Sequence, residues 1–157
     1  GGPFILKLTP KTPSPAFFPT KISPTRGIEA IIDLIVRAGT NVPLKLTIAN
    51  MTHFGALLAA SFCNDIDAFG KAIADEIIEP ARAHLIPAFY DVKQAALDAG
   101  GLGCSISGAG PTVFAVANSP KRGEAVSIAM QAAFADNGID SVVHVTKVDQ
   151  EGAKQIL

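Results

Sequence analysis

The chain has 157 residues, 48% of them apolar, and carries 13 Lys and Arg against 14 Asp and Glu. That length and apolar content suit one domain with a substantial core, and the balanced charge leaves no basic excess to neutralise a nucleic-acid backbone, which argues against a nucleic-acid partner. Its two cysteines, Cys63 and Cys104, stand far apart without a Cys/His cluster, so they fit neither a disulfide framework nor a zinc site and read as reduced, packed thiols of a cytoplasmic protein.

The start, Gly1-Gly2-Pro3, has no initiator methionine, basic leader or cleavage-site pattern and reads as the beginning of a fragment. Phe4 to Leu8 forms a short strand pattern. Thr9 to Pro24 then carries prolines at positions 10, 13, 15, 19 and 24, which forbid a regular helix or a central strand and predict an extended surface loop. From Thr25, a suitable N-cap, Ile28, Ile31, Ile32, Ile35 and Val36 recur at helical spacing up to Gly39. The run from Ile28 to Val36 is broken by Glu29 and Asp33 and is too short for a membrane span, so no transmembrane segment and no membrane partner is expected.

Leu44, Leu46 and Ile48 alternate with Lys45 and Thr47, the pattern of a half-buried strand. Met51 to Cys63 lacks Asp, Glu, Lys and Arg and predicts a helix buried on most sides. Asp65 caps a further helix to about Glu76, and Pro80 ends that pair or starts a new turn. After Pro87, Phe89, Val92, Ala96 and Leu97 share one helical face, closed by Gly100-Gly101.

In the last third, Cys104 and Ile106 begin a strand, Ser107 to Pro111 makes a glycine-rich turn, and Thr112 to Ala117 continues as a buried strand. Ser119 caps a helix whose face includes Val126, Met130, Ala133 and Phe134, with Asn137-Gly138 as its stop. Val142, Val143, Val145 and Val148 form the last strand. Helix, strand, strand, helix, strand, joined by the early strand, predicts an α+β two-layer sandwich of ferredoxin-like type.

Two stretches carry more than fold. One is Glu79-Pro80-Ala81-Arg82-Ala83-His84-Leu85-Ile86-Pro87, the other Leu102-Gly103-Cys104-Ser105-Ile106-Ser107-Gly108-Ala109-Gly110-Pro111-Thr112. In the second, Gly108 and Gly110 lack a Cβ and permit positive φ. Their backbone N–H groups can converge on an anion, or the loop can be a tight β-turn between buried strands. In the first, a guanidinium in an apolar, proline-flanked segment calls for an anionic partner, either a ligand or the carboxylate of Glu79 or Glu76. His53 reads as a hydrogen-bonded core histidine, Asn50 as a helix N-cap, and Asp75 with Glu76 as a solvated helix end. His84 and His144 have no metal-ligand spacing.

Both stretches resemble homoserine kinases of the GHMP small-molecule kinase superfamily, in which an EP-x-R-x-x-LIP segment, a short helix and a GA-x-G-x-x-ISGAGPT loop follow at about this spacing. The likeness extends from about residue 50 to Val148-Asp149 and Gly152-Ala153, with Pro19-Thr20 as a fainter echo. It divides the chain into a poorly matched segment, 1–49, and a GHMP-kinase-like C-terminal domain, 50–157.

The resemblance implies transfer of the γ-phosphoryl group of MgATP to the hydroxyl of L-homoserine, in threonine biosynthesis. It makes Arg82 the binder of the amino-acid carboxylate, with Asn50 as a second substrate contact, and makes Ser107, Gly108, Ala109, Gly110 and Thr112 supports of the ATP site. No residue of this chain is expected to be catalytic or to bind metal.

The family's P-x-x-x-GLGSSAA phosphate loop does not occur in the sequence, and Pro15 stands where the family tends to have an arginine. ATP and Mg2+ would therefore bind mainly through a part not present here, and the chain alone is expected to be inactive. The rival expectations are a non-catalytic amino-acid-binding or dimerising module, which admits a homodimer, and a GHMP kinase for another small alcohol.

Overall fold

The computed structural model describes residues 4–11 and 41–148. The expected loop beyond residue 11 and the helix over Ile28 to Val36 lie outside the described residues. The described elements are β1 (Phe4–Pro10), α1 (Leu44–Cys63), α2 (Ile66–Lys71), α3 (Ile78–Ala83), α4 (Phe89–Asp98), β2 (Gly103–Ile106), β3 (Val113–Ala117), α5 (Pro120–Asp136) and β4 (Ser141–Lys147).

The strands form one antiparallel sheet in the order β2-β3-β1-β4. β1 and β2 are therefore parallel with β3 between them, and β3 and β4 are parallel with β1 between them. These are two split βαβ units, the ferredoxin-like arrangement the element order predicts. β1 comes from the segment 1–49 and fills an inner position, with Leu6 opposite Ala115 on one side and Val145 on the other.

Alternation along the strands decides which face is dry. Leu6, Leu8, Cys104, Val113, Ala115 and Ala117 point to one face, and Phe89, Val92, Ala96, Val126, Met130 and Phe134 of α4 and α5 cover it. Leu97, expected on that face, is exposed instead. Ser119 caps α5, its Oγ accepting from the Arg122 N–H at 3.3 Å, and Pro120 opens the helix where no N–H is needed.

Four expectations in the middle of the chain are corrected. Leu44 to Ile48 is the first part of α1 and not a strand: Pro43 stands at its N-cap, and the Pro43 carbonyl accepts from Leu46 and Thr47 N–H. Five alternating residues satisfy the i, i+4 spacing of a helix as well, and the unbroken apolar sequence that follows decides the matter.

Second, α1 is not buried on most sides. Its one buried residue is Ala60, while Leu44, Ile48, Met51, Phe54, Leu58 and Phe62 are all exposed. By length and composition it is also the one helix among the described residues able to cross a membrane. The sequence reading missed this by assigning its first residues to a strand.

Third, α2 ends at Lys71 and not near Glu76, because the Asp75 carboxylate starts the next helix. Fourth, Cys63 is exposed while Cys104 is buried, so only the latter is a packed thiol.

α2 reaches the sheet through a backbone-to-backbone contact. A Cβ on Gly103 would lie 2.1 Å from the Gly70 carbonyl oxygen, and one on Gly70 would lie 2.3 Å from Leu102 Cβ. Only glycine lets these two segments approach so closely.

Leu6→Ala, in the middle of the core, should lower unfolding stability by about 2–5 kcal/mol. Phe62→Ser, on the open face of α1, should change it by no more than about 0.5 kcal/mol. Urea unfolding of the two variants checks both values.

Candidate functional site

The site is assembled around α3, six residues long. Asp75 sets its start: the carboxylate oxygen Oδ1 accepts from the N–H of Ile77 at 2.9 Å and of Ile78 at 2.8 Å, and from the Asn50 side-chain amide at 2.9 Å. Asn50 Oδ1 in turn accepts from the Glu76 N–H at 2.8 Å, and His53 Nε2 lies 3.9 Å from Glu76 Oε1. Asn50 thus fastens α1 to the turn before α3 and does not cap a helix. Asp75 is an engaged carboxylate and not a solvated helix end, which corrects both sequence readings. Burial alone would raise the Asp75 pKa, but the Asn50 amide and the N–H groups of Ile77, Ile78 and Glu79 hold it below its ordinary value.

Pro80 falls in the first turn of α3, where its missing N–H costs nothing. The helix buries two charged side chains, Glu79 and Arg82, each 6% exposed. Glu79 Oε1 accepts from the Lys93 ammonium of α4, and Oε2 accepts from the Ser105 hydroxyl of β2 at 2.6 Å. Lys93 Nζ also sits 5.9 Å from the centre of the Phe89 ring.

Arg82 lies one turn further along α3, and its Nη2 donates to the Ala109 carbonyl in the glycine loop. Burial pulls its pKa below the usual value, yet a guanidinium stays charged at any physiological pH. Neighbouring Cys104 has its thiol pushed up to about 12, chiefly by burial, with Lys93 opposing and Glu79 reinforcing the shift. It is an inert packing residue.

The loop is closed by the Ser107 N–H donating to the Thr112 carbonyl at 2.8 Å and the Gly110 N–H donating to the Ser107 carbonyl at 3.1 Å. Thr112 Oγ1 and Thr9 Oγ1 of β1 lie 2.9 Å apart, tying the loop to the inner strand. Gly108 has φ +59° and Gly110 φ +75°. A Cβ at Gly110 would meet Ile86 Cδ1 at 3.1 Å, whereas one at Gly108 would meet nothing. Among the described residues, the N–H groups of Gly108 and Ala109 donate to no backbone carbonyl outside helices and strands.

The structure brings together two motifs that are separate in sequence. Glu79 meets Ser105, Arg82 meets Ala109, and Ile86 lies under Gly110. Asn50 makes its hydrogen bonds at the opposite end of α3, to Asp75 and Glu76. Sequence reasoning missed Lys93 and Ser105, whose partnership with Glu79 spans 14 and 26 residues. The available signal was Glu79 between the apolar residues Ile77, Ile78, Pro80 and Ala81, a charge that must be paired if buried. His84 and His144 are exposed, and no group of three or more His, Cys, Asp or Glu among the described residues could hold a metal ion.

A split βαβ sandwich with a glycine loop braced by an arginine belongs to a recognised class. The chain is a member of the GHMP kinases C terminal family, whose model matches residues 54–136, just over half its length. It is 45% identical over 118 residues to a homoserine kinase of Chlorobaculum tepidum, covering 74% of this chain and 36% of that protein. It is 43% identical over 119 residues to a homoserine kinase of Arabidopsis thaliana, covering 74% of this chain and 32% of that one. The crystal structure of a homoserine kinase from Cytophaga hutchinsonii superposes with a TM-score of 0.78 at 34% identity, over 95% of this chain and 42% of the other. The chain spans about a third of the length of the curated relatives it matches.

The depressed pKa of Asp75 fixes a sign. A carboxylate whose folded value lies below its unfolded value contributes stability that is fully present above the ordinary 3.8 and is lost as pH falls through the folded value. Acid titration of stability should therefore be steeper below pH 3.8 for the native chain than for Asp75→Ala. Circular dichroism at a series of pH values checks this.

Proposed function

We propose that the protein carrying this chain is a homoserine kinase, transferring the γ-phosphoryl group of MgATP to the hydroxyl of L-homoserine to give O-phospho-L-homoserine. The reading makes this chain the C-terminal part of that enzyme and threonine biosynthesis its setting. The observation that carries it is the contact between the two motifs, with the Arg82 guanidinium on the carbonyl of Ala109. Homoserine kinases in Chlorobaculum tepidum and Arabidopsis thaliana, more than 40% identical, support it.

In this reading Arg82 anchors the amino-acid carboxylate through the bidentate geometry that a guanidinium offers. Asn50 acts as the second substrate residue by holding Asp75 and the start of α3. Ser107, Gly108, Ala109, Gly110 and Thr112 support the ATP phosphates, with the Gly108 and Ala109 N–H groups turned to an anion or to a phosphate loop. Phosphoryl transfer needs positioning and charge stabilisation more than covalent help from the protein, and this chain supplies positioning. Among the described residues no group of three or more His, Cys, Asp or Glu could hold the magnesium ion. The free thiols Cys63 and Cys104 support a reducing, cytoplasmic setting.

ADP release in the complete kinase tests the assignment. Arg82→Ala should raise the KM for L-homoserine by about tenfold or more while moving the KM for ATP little, because it removes a charged contact to one substrate. An unchanged homoserine KM would take Arg82 out of the site. Gly108→Val should weaken nucleotide use, since a β-branched residue resists φ +59°. Normal ATP binding by that variant would reduce the loop to a turn. This chain alone should give no turnover, because it holds no phosphate loop.

A further inference from the structure

We infer that Glu79 is a positioning residue for the amino-acid site, acting through Arg82. The inference rests on the proposed role of Arg82 and goes beyond it. α3 has six residues, too few to hold an orientation by its own hydrogen bonds. Something outside it must fix its rotation, and hence where the Arg82 guanidinium points. Glu79 lies one turn before Arg82 on the same short helix and is 6% exposed.

Both of its carboxylate oxygens are committed, one to Lys93 on α4 and one to Ser105 on β2. The carboxylate is therefore gripped from two elements, the helix behind α3 and the strand that leads into the glycine loop. Ser105 stands two residues before Ser107, so the same grip ties α3 to the strand carrying the loop, while Arg82 ties α3 to the loop itself. Glu79, Ser105, Ala109 and Arg82 close a ring of contacts between the two motifs. A break at Glu79 releases one side of that ring and lets the guanidinium drift from the direction the carboxylate requires. Loss of about an ångström in placement is enough to cost a large factor in substrate use.

The test uses the complete kinase with MgATP and L-homoserine, and the variants Glu79→Gln, Lys93→Met and Ser105→Ala, each made also in an Arg82→Ala background. Glu79→Gln and Lys93→Met should raise the homoserine KM by about tenfold to a hundredfold, with the ATP KM within about twofold. Ser105→Ala, which removes only a hydroxyl and keeps the fold, should shift the same constant in the same direction. In the Arg82→Ala background none of the three should raise the homoserine KM further, because residues acting through one another are not additive.

Equal increases with and without Arg82, or parallel increases in both KM values, would overturn the inference and leave Glu79 a stability residue. Wild-type turnover that ignores homoserine would instead remove the functional assignment, and the positioning role with it.

Discussion

The loop end of this domain depends on one buried carboxylate. Glu79 is removed from water between α3, α4 and β2, where an unpaired charge would be intolerable and a paired one is held in a single geometry. Because its partners come from different elements, the interaction joins a short helix to a longer one and to the edge of the sheet at one point. Arg82 then reaches the glycine loop from a helix that is already fixed. Asp75 does the equivalent work at the other end of α3, gathering Asn50 and two backbone N–H groups. The buried charges among the described residues, Glu79 and Arg82, both lie on this very short helix, while the cluster between the sheet, α4 and α5 is built from apolar side chains.

α1 contrasts with that core. It has the apolar composition of a buried helix, yet its row of Leu44, Ile48, Met51, Leu58 and Phe62 stands open. It is tied to the turn before α3 by polar contacts at Asn50 and His53, while Leu46, Ala49 and Leu57 are half-buried and Ala60 is buried.

Much of the architecture was legible. Local signals with a direct physical meaning held: the short apolar strand run Phe4 to Leu8, the Ser119 cap, the Gly100 stop, and the hairpin flanking Ser107 to Pro111. The failure at Leu44 to Ile48 came from a five-residue pattern that serves two periodicities. The failure to foresee the openness of α1 came from treating composition as burial, although composition cannot say where a partner surface lies. At the site, Arg82 and the loop were visible because each sits in a distinctive run of residues. Lys93, Ser105 and the role of Asp75 were not, because a Lys, a Ser and an Asp become special only when the chain brings their partners to them.

The placement of β1 has a consequence for the order in which the domain forms. Its neighbours in the sheet are β3 and β4, so Leu6 pairs with Ala115 and Val145 across more than a hundred residues of chain. The β2-β3 hairpin and the α5-β4 unit need only short loops to close and can condense early, whereas β1 must be recruited against a large loop-closure entropy. Thr9 on β1 meets Thr112 at the base of the glycine loop. The loop thus receives its last anchor from the slowest segment to arrive, so a chain whose inner strand has not yet docked holds a bare hairpin in place of a finished glycine loop.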